Sequence, residues 1–269
     1  MSSVAPVLAQ AKAEGRAALI GYLPVGFPDH DTSIAAMVAM VENGVDIVEI
    51  GVPYSDPLMD GPVIQHAVES ALVAGARPRD AIAATEAVAK AGAPSLLMTY
   101  WNLADRYGVP RLAADLAAAG GAGLITPDLI PEEAGEWIAA SDEHELDRVF
   151  LVAPSSTDGR LAMTAAACRG FVYVASTMGV TGVRSTVNNA AEVLVHRTRA
   201  VTDLPLCVGL GVSNAEQAAQ VAGFADGVIV GSAFVKALAN ASSAAEGVRA
   251  VGEIASKLAE GVRSGRPAA

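Results

Sequence analysis

Cysteine is scarce in this chain. The two present, Cys168 and Cys207, match neither a disulfide framework nor a Cys-x-x-Cys metal pattern. The first residues lack the positive-then-apolar pattern of a secretory leader, so a reducing, cytoplasmic location is expected. Basic charge is also short: Lys and Arg number 18 against 29 Asp and Glu, a formal net charge of -11, and no basic cluster occurs. That balance argues against a nucleic-acid partner. No uninterrupted apolar run is long enough to span a bilayer, which argues against a membrane protein.

What the chain has in quantity is apolar residues, 52% of 269, enough for a large core. They fall in short runs that alternate with helical patterns. Strand candidates are Ala17 to Leu23, Ile47 to Ile50, Ser95 to Thr99, Gly123 to Thr126, Arg148 to Val152, Phe171 to Ala175, Leu206 to Gly209 and Gly227 to Val230. Each is followed by at least one helical pattern, including one near Arg111 to Ala119 after the third strand and one from Pro131 to about Ala140 after the fourth. A short helix over residues 2–14 precedes the first strand, and a last amphipathic helix spans about Ala244 to Val262, with 264–269 expected to fray. Eight such units without a linker predict an α/β fold, a single (β/α)8 TIM barrel domain over residues 1–269, with an extra N-terminal helix and additional helices. A doubly wound open sheet is the alternative. It would leave two edges, and no Gly-x-Gly-x-x-Gly follows the first strand.

In a barrel the active site lies at the C-terminal ends of the strands. The stretch Asp46 to Pro62 places Glu49 inside an apolar strand, where a carboxylate is costly unless paired or neutral. A loop punctuated by Gly51, Pro53, Pro57 and Gly61 follows, carrying a second acid, Asp60, before Pro62 opens a helix. Two acids at one strand end can form a general acid/base pair. The plainer alternative is a satisfied core acid at Glu49, with Asp56 and Asp60 as turn residues. Gly209-Leu210-Gly211 after the seventh strand and Gly231-Ser232 after the eighth read as a phosphate grip of backbone amides plus the Ser232 hydroxyl. Two capped turns would look the same. The loop after the sixth strand, Ser176 to Thr186, is either a lid hinged at Gly179 and Gly182 or a plain surface loop. Tyr22, Tyr100 and Tyr173, three of five tyrosines, fall at or near strand ends, where they line a pocket for a flat substrate or pack the barrel top.

Two further absences narrow the chemistry. All four lysines, Lys12, Lys90, Lys236 and Lys257, fall in helical patterns, which disfavours a Schiff-base aldolase with its strand-borne lysine. The histidines His30, His66, His144 and His196 are scattered over helices and their approaches, with no strand-end metal cluster. Carboxylate chemistry on a small phosphorylated substrate remains.

The run Glu49-Ile50-Gly51-Val52-Pro53-Tyr54-Ser55-Asp56-Pro57-Leu58-Met59-Asp60-Gly61-Pro62 closely resembles the signature of the tryptophan synthase alpha chain family. Met98-Thr99-Tyr100-Trp101-Asn102, Gly179-Val180-Thr181-Gly182, Gly209-Leu210-Gly211 and Gly231-Ser232 extend the resemblance over nearly the whole chain. It implies a carbon–carbon lyase of L-tryptophan biosynthesis that cleaves indole-3-glycerol phosphate to indole and glyceraldehyde 3-phosphate by a retro-aldol reaction. No metal or cofactor is implied for this chain. The implied partner is a beta chain that holds pyridoxal phosphate and receives the indole through an internal tunnel, in an allosteric α2β2 assembly. By motif, Glu49 takes the general acid/base role, and Asp60 holds the indole N–H and stabilises the positive charge formed as C3 is protonated. Tyr22 and Tyr173 fall in the indole pocket. Gly182, Gly211, Gly231 and Ser232 fall in the phosphate grip, and Thr181 in the mobile loop that meets the Asp60 loop. Asp56, Asn102 and Asp128 fall on the surface facing the beta chain. Departures from the usual pattern are Met59, where a small residue is common, Ile130, and Met178 and Arg184 in the sixth loop. Two other roles stay open on sequence: a stand-alone lyase that releases indole, and a catalytically silent allosteric partner. The presence of both acids speaks against the second.

Overall fold

Apolar runs of four to seven residues make stable parallel strands only when both faces are covered. In the computed structural model, which describes residues 3–175, 189–209 and 211–265, they do so around one axis. The strands are β1 (Ala18–Pro24), β2 (Ile47–Gly51), β3 (Ser95–Met98), β4 (Gly123–Ile125), β5 (Asp147–Val149), β6 (Leu151–Val152), β7 (Val172–Ala175), β8 (Leu206–Gly209) and β9 (Gly227–Val230). All pair in parallel in the order β5-β4-β3-β2-β1-β9-β8-β7-β6. The two edge segments, β5 and β6, are separated only by Phe150. The sheet therefore curls until its edges are two halves of one strand, and the fold is a TIM barrel rather than an open sheet. The fifth strand expected over Arg148 to Val152 is split because its first half pairs with β4 and its second with β7.

Side chains alternate between the two faces of each strand. Ala18, Ile20, Ile47, Leu96, Ile125, Val149, Tyr173, Cys207 and Ile229 pack together inside the barrel. Val4, Leu8 and Ala11, on and just before α1 (Ala5–Ala13), join the same cluster. The N-terminal helix is thus a plug in the barrel floor. Asp147, fully buried at the start of β5, holds it there: its carboxylate accepts the Val4 N–H at 2.8 Å and the Ser3 hydroxyl at 3.1 Å. Two more acids work on the same rim. Asp46 accepts the Leu19 N–H at 2.8 Å and the Arg16 guanidinium at 2.7 and 2.8 Å. Asp226 accepts the Leu206 N–H at 2.9 Å and pairs with Arg199.

The other strand face packs on the helices. These are α2 (His30–Glu42), α3 (Pro62–Val73), α4 (Pro78–Lys90), α5 (Trp101–Tyr107), α6 (Val109–Ala118), α7 (Gly135–Glu143), α8 (Asp158–Ala167), α9 (Asn189–Arg199), α10 (Ala215–Ala222), α11 (Ser232–Ala239) and α12 (Ala244–Ser264). On α12, Val251, Ala255, Leu258 and Val262 recur every three or four residues and are buried, and the helix lies against α2 and α10. Two local expectations change. The helix expected from Pro131 is a 3-10 turn, Pro131–Glu133, before α7 begins at Gly135. An unanticipated helix, α5, starts three residues after β3. The expected lid, Ser176 to Thr186, lies outside the described residues, with Thr181 and Gly182 in it.

Candidate active site

Glu49 stands two residues beyond Ile47 of the inner cluster, so the strand alternation that packs the barrel also turns its carboxyl toward the axis. It is 1% exposed, and its Oε2 has no hydrogen-bond partner among the described residues. Burial pushes its pKa up to about 8, and the charge of Asp60 adds to the rise. Asp60 comes from the loop between β2 and α3. Its backbone is anchored by the Gln65 side-chain amide, which donates to the Asp60 carbonyl at 2.8 Å, and by Pro62 in the first turn of α3. Burial pushes the Asp60 pKa up to about 6. Near neutral pH, then, Asp60 is largely ionised while Glu49 still holds a proton. Two carboxyls whose environments separate their protonation states are suited to different roles in one reaction.

Tyr22, in register beside Glu49 on β1, and Tyr173 on β7 line the same pocket as the two acids. Burial, followed by the charges of Asp60 and Glu49, raises the Tyr22 hydroxyl well above its ordinary value; burial, followed by the charge of Glu49, does the same at Tyr173. Both stay protonated. Their rings are seated on strand-end glycines. A Cβ on Gly51 would come within 2.4 Å of the Tyr22 hydroxyl, and one on Gly209 within 2.5 Å of the Tyr173 hydroxyl. Gly231 lies under the Tyr22 ring, where a Cβ would meet Cδ1 at 3.0 Å.

Gly211, Gly231 and Ser232 line this pocket as well. Gly211 has φ +65°, a left-handed conformation that favours glycine. Gly231 and Ser232 open α11, and among the described residues no side chain caps that helix; the Phe234 and Val235 amides donate to the Gly231 carbonyl, which leaves those of Ser232 and Ala233 for an anion. Glu49, Asp60, Tyr22, Tyr173, Gly211, Gly231 and Ser232 thus line one pocket. Tyr100 is not among the lining residues. It is buried, and its hydroxyl accepts the backbone N–H groups of Leu58 and Met59. Met59, Ile64, Met98, Gly209 and Ile229 complete the pocket and were not singled out for it. Met98 and Ile229 continue the inward alternation from Leu96 and Gly227, a signal shared with every core residue of the barrel.

On the rim, Asp56, Asn102 and Asp128 are exposed on the loops and helix start after β2, β3 and β4. Asp56 accepts the Ser55 hydroxyl at 2.6 Å, and Asp128 accepts the Trp101 N–H at 2.9 and 3.1 Å. Leu58 and Ile130, on the same two loops as Asp56 and Asp128, are 71% and 41% exposed. Among the described residues, no group of three or more His, Cys, Asp and Glu could hold a metal ion, and no helix is long and apolar enough to cross a membrane.

Comparison with known proteins agrees with this geometry. The family model described as tryptophan synthase alpha chain matches residues 8–263. The tryptophan synthase alpha chain of Mycobacterium intracellulare is 60% identical over 262 residues, covering 97% of this chain and 95% of that protein. That of Thermobifida fusca is 60% identical over 260 residues, covering 96% of each. A solved structure of Mycobacterium tuberculosis tryptophan synthase superposes with a TM-score of 0.92 at 59% identity, covering 98% of this chain and 99% of the other. With a barrel and a relationship that spans nearly every residue, the chain belongs to the tryptophan synthase alpha chain family.

Proposed function

We propose that this chain cleaves indole-3-glycerol phosphate to indole and glyceraldehyde 3-phosphate, with Glu49 as the proton carrier and Asp60 as the electrostatic partner of the indole nitrogen. The observation that carries this reading is the buried Glu49 carboxyl, unpartnered at Oε2 among the described residues, in one pocket with Asp60 and the Gly211 and Gly231-Ser232 loops. Protonated Glu49 delivers its proton to indole C3. The ring nitrogen becomes positive, and the Asp60 carboxylate stabilises that charge through the N–H. The Glu49 carboxylate then takes the proton of the hydroxyl on the carbon bonded to C3. That carbon becomes the aldehyde, the carbon–carbon bond breaks, and its electron pair returns to the ring. Glu49 ends protonated as it began, so the cycle needs no external acid or base.

Tyr22 and Tyr173, with Met98 and Ile229, supply the flat apolar walls for the indole. The amides at Gly211, Gly231 and Ser232 and the Ser232 hydroxyl hold the phosphate, with Thr181 and Gly182 as further substrate-binding residues. The exposed rim of Asp56, Asn102 and Asp128, with Leu58 and Ile130 between charges, is the docking face for a beta chain that carries pyridoxal phosphate and takes up the indole in an α2β2 complex. The chain acts as one barrel domain in the cytoplasm, a setting suited to its two buried free thiols.

The test is indole release by the purified chain, with and without a beta chain. Release that rises sharply with the partner supports the reading, and Glu49→Gln then abolishes it while leaving folding and complex formation intact. Near-wild-type turnover by that variant would sink the mechanism. Fast release without any partner effect would make the chain a stand-alone lyase. No release under either condition, with the beta chain still activated, would make it a silent partner.

A further inference from the structure

Asp60 sits on a loop with no regular backbone pairing of its own with which to anchor itself. Pro53 and Pro57 have no N–H, and the stretch from Val52 to Gly61 contains no helix or strand. Its attachment comes from outside. The Tyr100 hydroxyl accepts the Leu58 N–H at 3.0 Å and the Met59 N–H at 3.1 Å, the two amides immediately before Asp60. The Tyr100 ring also lies against Tyr54 earlier in the same loop, with centroids 5.0 Å apart and planes at 31°. One side chain therefore grips the loop at two places. Tyr100 is itself fixed from the next loop round the barrel. It immediately precedes α5, and the first amide of that helix, from Trp101, donates to both carboxylate oxygens of Asp128 at 2.9 and 3.1 Å. Asp128 holds the start of α5, α5 presents Tyr100, and Tyr100 holds the amides that aim Asp60.

We propose that Tyr100 is a positioning residue for Asp60, acting through the Leu58 and Met59 amides, and that Asp128 sets Tyr100 in place. The inference rests on the reading in which Asp60 works on the substrate. It assigns Tyr100 a role other than substrate contact, and it gives the exposed Asp128 a route to the pocket through three successive loops. The hydroxyl is used here as a double acceptor, which no aliphatic side chain and no phenylalanine reproduces. Its effect belongs in turnover rather than in substrate affinity, because Tyr100 does not line the pocket.

The experiment measures kcat and KM for indole-3-glycerol phosphate on the full-length protein. Cleavage by the wild-type chain is read first, since its absence would overturn the proposed function rather than this inference. Tyr100→Phe keeps the ring and its contact with Tyr54 and removes only the acceptor. The expected result is a fall in kcat of about tenfold, equivalent to about 1.4 kcal/mol, with KM within about twofold of wild type. An unchanged kcat with a raised KM would make Tyr100 a substrate contact, and unchanged values of both would leave Asp60 positioned without it; either overturns the inference. Asp128→Ala, on the exposed rim, approaches from the other end and decides the matter if the Phe variant does not fold. It is expected to lower kcat about threefold in the chain without a partner, at unchanged KM, and to add nothing further when combined with Tyr100→Phe. A kcat equal to wild type in Asp128→Ala, or full additivity of the two changes, would break the link.

Discussion

Glu49 and Asp60 are the same functional group in two degrees of burial, and that difference alone separates their behaviour. The native fold keeps Glu49 protonated up to about pH 8, whereas an ordinary glutamate loses its proton near 4.5. Between those values the native state binds more protons than the unfolded chain, so stability falls as pH rises through the window. Glu49→Gln removes that dependence. Its stability is expected to match wild type near pH 4.5 and to exceed it at pH 8 by on the order of a few kcal/mol. Urea unfolding at the two pH values checks this, and a variant no more stable at pH 8 would show that Glu49 is not held as a buried acid. On the proposed mechanism, in which Asp60 works ionised and Glu49 protonated, the same pair predicts a bell-shaped kcat/KM. The limbs fall near pH 6 and pH 8 and belong to the pair rather than to either residue. In Asp60→Asn the acid limb disappears from whatever turnover remains; an acid limb retained in that variant would assign it to another group.

The acids were legible because a carboxylate is costly to bury inside an apolar strand, and because the Pro- and Gly-punctuated loop after it returns a second acid to the same strand end. The role of Tyr100 was not. Its position near a strand end is shared with Tyr22, and only the three-dimensional course of the loop shows that its hydroxyl meets Leu58 and Met59 instead of the pocket. Met98 and Ile229 were hidden for the opposite reason: nothing local distinguishes an inward residue at the mouth of the barrel from one at its centre.

At the scale of elements, the strand ends are shaped by rings lying over glycines. Gly51 and Gly209 have no room for a Cβ because Tyr22 and Tyr173 occupy it, and at Gly231 one would press on the Tyr22 ring. Gly209→Ala is expected to displace Tyr173 from the pocket, lowering kcat/KM at least tenfold and stability by about 1–3 kcal/mol, the usual range for overpacking. Kinetics together with thermal unfolding test this, and wild-type kcat/KM would show that the Tyr173 ring position is not needed. The strands were readable from their apolar runs. Helix α5 was not, because seven residues give too few turns to show a period, and its first amide is satisfied by Asp128, which is 27 residues away in sequence. The split of the helix expected from Pro131 likewise turns on whether backbone bonds close at three or four residues, which the side-chain pattern does not encode.

At the scale of the whole molecule the barrel has a stabilising end and a working end. The floor carries Asp46, Asp147 and Asp226, each accepting a backbone N–H, and the α1 plug. Glu49, the buried acid at the mouth, leaves Oε2 without such a clamp among the described residues. Asp147→Ala leaves the Val4 N–H and the Ser3 hydroxyl without their acceptor, and is expected to cost about 1–3 kcal/mol while kcat and KM stay at wild-type values. Thermal unfolding and steady-state kinetics of the same preparation separate the two effects; a large loss of kcat without loss of stability would mean that floor and mouth are not independent. The eight-unit count and the barrel were legible from the regular alternation of apolar runs and helices. The seam at Phe150 was not, because which side of a strand finds a neighbour is decided only when the sheet closes.

The plug has a consequence for traffic. With Val4, Leu8 and Ala11 stopping the floor, the described residues form a flask closed at its base. On the proposed reading, substrate enters and both fragments leave at the opposite end, on which the Asp60 loop stands and which a docked partner would cover. Any stopper tight enough to keep water out during bond cleavage also holds the second fragment back, so the order in which the two fragments depart is set by whichever of them the neck admits first.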